Sequence, residues 1–226
     1  MVLRVLDALE ASEQVDTYIL CGPPAAIVDR EPLIRQRMAA GSVRWLPPQA
    51  TPSTSALAAL QSVAAETPVL LTTADHALLT PEMVDYFCCE ARGAGSDLVA
   101  GLASHAQIMA HYPGMRRTRT RFTEGAFCGC NLFAFLTPEG RAAAGLWRRV
   151  ENERKRPLKM LGQLGWWVVI RYILGRLSLA DALRHISGRM GLQVAAVILP
   201  FPEAAVDVDS VNDWHFAQAI ASKREG

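Results

Sequence analysis

Two short segments of this 226-residue chain carry carboxylates where an α/β protein holds a cation. The first follows the run Pro68–Thr73 (PVLLTT), continuous, apolar and of strand length, which leads through Ala74 into Asp75 and His76. A new helix opens a few residues later at Thr80-Pro81-Glu82. In open α/β sheets ligands bind at the carboxyl ends of the strands. An Asp there suits Mg²⁺, which takes one or two carboxylates together with substrate phosphate oxygens. The second segment is Asp207-Val208-Asp209, at the end of a short stretch that predicts a strand over Ala205–Asp209. Alternation along a strand sends Asp207 and Asp209 to one face. A turn accounts for Asp75 equally well, and helix capping accounts for Asp209 or Ser210. The pair of segments, far apart in sequence but at strand ends of one sheet, points to a shared metal. His76 is read either as a phosphate or metal neighbour or as a plain turn residue.

Covalent catalysis has no comparable support. His105, His111, His185 and His215 show no ligand-like spacing, and no Ser/His/Asp or Cys/His set stands out. Cys128 and Cys130 alternate onto one strand face and read as packing residues. The five cysteines are odd in number and irregularly spaced, which excludes a disulfide framework and predicts a reducing, cytoplasmic setting.

Charge is local rather than global, since the net charge is +1. Arg116, Arg117, Arg119 and Arg121 fall within six residues without an acid; they are read as a receiver for a phosphate or as a solvated loop. A second basic cluster (Arg148, Arg149, Arg154, Lys155, Arg156, Lys159) leads into the apolar, Trp-rich Leu164–Leu174. The stretch 148–174 is compatible with a peripheral membrane or amphiphilic-substrate contact, or with a core or homodimer-forming helix. It is too short and too interrupted by Arg171 to span a bilayer. The arginines lack interleaved aromatics on a basic face, so no nucleic-acid role is expected.

These residues must be positioned by a scaffold, and 50% hydrophobic residues suffice to build one. The apolar spacing predicts helices over 2–11, 31–40, 52–65, from Thr80, from Thr137 and from about Ser210. Strands are predicted over 15–20, 43–46, 68–73, 97–103, 128–136 and 193–199, besides 205–209. Thr51-Pro52 and Thr80-Pro81 are N-cap signatures with Pro at the first helical position. Strands alternating with helices imply a mainly parallel sheet covered on both faces, a three-layer, Rossmann-like α/β fold. The chain reads as one domain, 1–226, with a helical insertion at about 141–190. The sequence opens directly in a helix, with no signal peptide.

Pro68–Pro81, Gly129–Phe133 (GCNLF) and Ala205–Asp213 (AVDVDSVND) together resemble the molybdenum-cofactor guanylyltransferase-like nucleotidyltransferases, of the wider GT-A-like group. The resemblance runs over most of 1–140 and 192–222. It implies a sheet on which a nucleoside triphosphate (NTP) and a phosphorylated small-molecule acceptor meet at Mg²⁺. By position it implies that Asp75 and Asp209 hold the metal, with Asp207 beside them. It also implies that Ser53, Thr54 and Ser55 contact the base and that Asn131 lies on the acceptor side. Such a reaction needs positioning and charge neutralisation rather than a nucleophilic side chain. The resemblance further implies a strand and a Gly-rich loop ahead of the first helix, and no such loop precedes Val2. Gly22-Pro23-Pro24 does not replace it, because Pro lacks the N–H that phosphate binding uses. Two other readings stay open: a GT-A glycosyltransferase using a nucleotide-sugar, and a non-catalytic nucleotide-binding homologue.

Overall fold

The computed structural model describes residues 1–115, 117–153 and 165–225. Helix α1 (Val2–Glu10) leads into β1 (Tyr18–Cys21), α2 (Ala25–Val28), α3 (Pro32–Ala39) and β2 (Val43–Leu46). Next come α4 (Pro52–Gln61), β3 (Val69–Thr72), α5 (Pro81–Gly93), β4 (Leu98–Ser104) and α6 (His105–His111). The hairpin of β5 (Thr120–Phe122) and β6 (Gly125–Phe135) precedes α7 (Pro138–Glu153). Helices α8 (Trp166–Ile173) and α9 (Leu179–Met190), strand β7 (Val194–Leu199) and helix α10 (Val211–Glu225) complete the order.

Helix starts follow the cap chemistry. Thr51 and Thr54 form a reciprocal capping box on α4, each hydroxyl accepting the other's backbone N–H. Thr80 caps α5 by accepting from Met83 N–H, again with Pro at the first helical position.

The main sheet has the order β3-β6-β4-β7, with β5 folded onto β6. Strands β4 and β7 are parallel, whereas β6 is antiparallel to both β3 and β4. Three of the four strands on this path therefore run one way, and β6 is the reversal within the α/β sheet that the sequence predicts as mainly parallel. Strands β1 and β2 form a separate parallel pair.

Helix α1 joins the two sheets. Its Val5 and Ala8 enter the core with Met83, Phe87 and the β3 residue Leu70. Its Leu6 packs with Leu20, Val28, Ile34 and Val43 around β1 and β2. On the opposite face of β3, Val69 and Leu71 meet Leu57 and Leu60 of α4.

The run 68–73 predicts a strand buried on both faces, but β3 is only half-buried along its length. Among the described residues it pairs with β6 alone, so one edge has no strand beside it.

Asp97 ties the far end of the sheet together. Its carboxylate accepts from the Thr137 hydroxyl at 2.8 Å and from Gln193 N–H at 2.7 Å, and its carbonyl accepts from Leu136 N–H at 2.9 Å. Gly140 of α7 passes so close that a Cβ there would lie 2.1 Å from the Asp97 carbonyl oxygen.

One further expectation changes. Ala205–Asp209 is not a strand: a 3₁₀ turn occupies Pro202–Ala205, and 206–209 continue without a ladder partner. Pro202 starts that turn, where a missing N–H costs least. The short elements α2, α6 and β5 are too brief for periodicity to register. The stretch 141–190, expected as a helical insertion, contains most of α7, then α8 and α9; its residues 154–164, which include four members of the second basic cluster, lie outside the described residues.

Candidate active site

After β3 the chain turns tightly, Ala77 N–H donating to the Asp75 carbonyl at 2.8 Å and Leu79 N–H to the His76 carbonyl at 3.1 Å. The same Asp75 carbonyl accepts a second bond, from Val208 N–H at 3.1 Å. That bond brings the two carboxylate segments side by side. Asp75 Oδ1 is buried, and no hydrogen-bond donor meets it among the described residues. A buried carboxylate oxygen left without a donor is costly unless a cation reaches it. Among the described residues no three His, Cys, Asp or Glu side chains gather into a cage. Hard oxygen donors in ones and twos are the protein ligands that Mg²⁺ takes beside substrate phosphates, so Asp75 fits that ion.

Asp207 is differently engaged. Its Oδ1 pairs with Arg117 Nη1, and its Oδ2 accepts from Asn131 Nδ2 at 3.1 Å. Arg117 Nη2 donates in addition to the Ala205 carbonyl. With both oxygens bound, Asp207 holds Arg117 and Asn131 in place rather than facing a cation. Asp209, two residues on, is exposed.

Asn131 reaches Asp207 because of an irregularity in β6. The β4–β6 register shifts between Ala100 and Leu102, whose partners are Phe133 and Gly129. At this bulge Asn131 adopts φ +50°, the left-handed region that Asn tolerates better than most residues.

Around this network lies an open cleft of about 380 Å³. Arg117, Thr118, Thr120, Asn131, Asp207 and Asp209 supply its polar lining. Leu102, Phe122, Phe127 and Leu179 supply apolar wall. Burial pulls the Arg117 pKa below its ordinary value, against the opposing charges of Asp209 and Asp213. Burial also pushes the Cys130 thiol well above its usual range and raises Cys128; both side chains belong to the core, and Cys128 also borders the cleft.

The remaining predicted residues divide. Ser53, Thr54 and Ser55 stand at the start of α4, which follows β2 and so opens at the carboxyl edge of β1 and β2. Their hydroxyls serve the turn: Ser55 accepts from Gln49 N–H at 2.8 Å, Thr54 completes the capping box, and Ser53 lies 3.1 Å from the Thr51 hydroxyl. None of the three lines the cleft. His76 is 1% exposed and its ring belongs to the interior. Burial lowers its pKa to about 4, with the Asp75 charge and the Ala204 backbone opposing. The neutral ring is the form that the apolar surroundings tolerate. Of the arginine run, Arg117 turns inward, Arg119 lies 3.0 Å from His105 Nε2, and Arg121 sits exposed on β5; Arg116 lies outside the described residues.

Thr118, Thr120, Phe122, Phe127 and Leu179 join the cleft lining without a motif in the sequence to mark them. The alternation across 118–122 was the available signal, but three residues of strand are too few to read.

A family model of the MobA-like NTP transferase domain matches residues 1–194. The chain belongs to that family. It is thus a nucleotidyltransferase by family, as the resemblance of its motifs implies. Among solved structures, this MobA-like chain is similar to a hypothetical transferase from Thermus thermophilus. The two are 32% identical with a TM-score of 0.77, over 94% of this chain and 85% of the other. The fold is shared at lower identity with 4-diphosphocytidyl-2C-methyl-D-erythritol synthase from Anaerococcus prevotii (13%, TM-score 0.55, over 98% and 86% of the chains). It is also shared with CMP:2-keto-3-deoxy-manno-octonic acid synthetase complexed with CTP (11%, TM-score 0.55, over 99% and 88%). The comparison with proteins of curated function gives no match.

Proposed function

We propose that this MobA-like chain transfers a nucleoside monophosphate from an NTP to a phosphorylated small molecule at the cleft that Asp209 lines, with Asp75, itself outside the cleft lining, tied to it through Val208. The observation that carries the reading is Asp75 Oδ1, buried without a donor and joined to the 207–209 segment through Val208. Asp75 and Asp209 would hold Mg²⁺, which when bound neutralises phosphate charge and orients the α-phosphate. Asp207 is left out of that set, because Arg117 and Asn131 occupy its oxygens.

An oxygen of the acceptor phosphate attacks the α-phosphorus and forms a new P–O bond. The bond to the bridging oxygen of the β-phosphate breaks, and pyrophosphate leaves with the electron pair. No proton has to be abstracted from an ionised phosphate, so a buried neutral His76 needs no role in the transfer. The chain's own contribution is placement. Arg117, pinned by Asp207 and the Ala205 carbonyl, keeps the rest of its five-donor fork for a phosphate at the cleft. The Thr118 and Thr120 side chains on the cleft wall offer hydroxyls to the acceptor body.

The test is pyrophosphate release from each of the four NTPs with a panel of sugar and polyol phosphates, with and without Mg²⁺. Transfer to a phosphorylated acceptor supports the reading. Turnover with nucleotide-sugars alone would replace it with glycosyl transfer.

A further inference from the structure

Helix α8 turns an apolar stripe outward. Trp166, Trp167, Ile170, Ile173 and Leu174 recur at i, i+1, i+4, i+7 and i+8, which is one face of a helix. A helix of a globular protein normally buries that face. Here Trp166, Trp167 and Ile173 are 66%, 73% and 75% exposed, and Val169 is the residue turned into the protein. No helix among the described residues is long and apolar enough to cross a membrane.

The surface beside the stripe is cationic. Arg176, Arg184 and Arg189 are exposed, while Arg171 and Arg184 share Asp181. An open cleft of about 410 Å³ between α8 and α9 is lined by Trp167, Arg171, Arg184, His185 and Arg189. In sequence, 148–189 holds ten Lys and Arg against three Asp and Glu, a net +7 that leaves the rest of this +1 chain at −6. The described part of this stretch, 165–190, carries Arg171, Arg176, Arg184 and Arg189 against Asp181, a local excess of positive charge on α8, α9 and their connection.

We propose that α8 docks on an anionic lipid surface. The stripe lies in the boundary between headgroups and acyl chains, and the arginines of α8, α9 and their connection sit on lipid phosphates. Trp and Tyr favour that boundary, and an eight-residue helix lies in its plane. Charge selects lipid over a second copy of the chain. A symmetric dimer through this face would bring two like-charged arginine sets together, whereas anionic headgroups neutralise them. The docking hairpin is tied to the β5–β6 turn: Thr123 N–H donates to the Leu177 carbonyl at 3.0 Å, and Glu124 accepts from Leu179 N–H at 3.1 Å. Leu179 also lines the candidate active site, so docking sets that cleft beside the bilayer.

The experiment is co-sedimentation of the full chain with vesicles of phosphatidylglycerol and phosphatidylcholine in equal parts, and with phosphatidylcholine alone. Tryptophan emission is followed in parallel. Binding to the anionic vesicles is expected, with a blue shift, weakening in about 0.5 M salt, where the Debye length is about 4 Å. Each of R176Q, R184Q and R189Q should weaken it about fivefold. The exposed pair W166A/W167A should abolish the blue shift and most of the binding while leaving the circular dichroism and the melting profile unchanged. Absence of binding to anionic vesicles overturns the proposal, as does binding that the tryptophan pair does not affect. A concentration-dependent dimer that W167A dissociates, without vesicle binding, would assign the face to a second copy.

Discussion

Val208 donates its backbone N–H to the carbonyl of Asp75 at 3.1 Å, fastening the segment after the 3₁₀ turn to the loop that ends β3. The bond is between main chains, so it sets the position of Asp75 without using the carboxylate. One oxygen of that carboxylate stays buried and unmet. The site thus separates its scaffold from its chemistry, and substitutions at the two levels should behave differently.

Asp207 belongs to the scaffold. Replacing it by Ala leaves Arg117, a largely buried guanidinium, with the Ala205 carbonyl but no carboxylate paired directly with it. A loss of about 3 kcal/mol in urea unfolding is expected for breaking a buried pair from one side. Asp207→Asn, which keeps the acceptor oxygen for one partner, should lose less. A D207A variant as stable as the parent would show that the pair holds nothing in place.

His76 makes stability depend on pH. Its folded pKa of about 4 stands against an ordinary value of 6.5, so between them the unfolded chain binds a proton that the folded chain does not. Stability therefore rises with pH through this window and is lost on acidification from about 6.5 to about 4, with nothing further from this group below that. The total is on the order of 3 kcal/mol. Denaturation curves from pH 4 to 7.5 should show the slope in the parent and its absence in His76→Gln. An equal slope in both would place the titrating group elsewhere.

Gly140→Ala tests the junction of α7 with the sheet. The added Cβ would stand 2.1 Å from the Asp97 carbonyl oxygen, a backbone atom that also serves Leu136. The helix must shift, at a cost of about 1–3 kcal/mol, visible as a lowered denaturation midpoint. Gly145→Ala, on the same helix with open space around it, should be neutral or better. Equal effects of the two substitutions would deny the close approach.

Much of this architecture is legible in the residues themselves. The cap signatures at Thr51 and Thr80 locate two helix starts, and the apolar run before Asp75 locates the strand that delivers it. Strand direction is not legible, because the apolar alternation of β6 is the same whichever way it runs. The half-burial of β3 is set by which neighbours it has, not by its own apolar composition. Periodicity also missed that 206–209 lacks a ladder, since extended backbone and strand share one alternation. The Arg117–Asp207 pair lies 90 residues apart in sequence, and no local spacing announces it. His76 shows the same limit: the type suggests a ligand, and only packing shows that the ring is enclosed.

The measurement that bears most directly on the proposed chemistry is Mg²⁺-dependent NTP binding, compared between the parent chain and Asp75→Asn by calorimetry. The Asn side chain keeps the shape and leaves the backbone bond to Val208 intact, so the fold should persist. The predicted result is NTP binding in the parent that strengthens with Mg²⁺, and a loss of that metal dependence in the variant, with turnover reduced about 100-fold or more. Mg²⁺-dependent binding and turnover unchanged in Asp75→Asn would contradict the assignment of Asp75 to the metal.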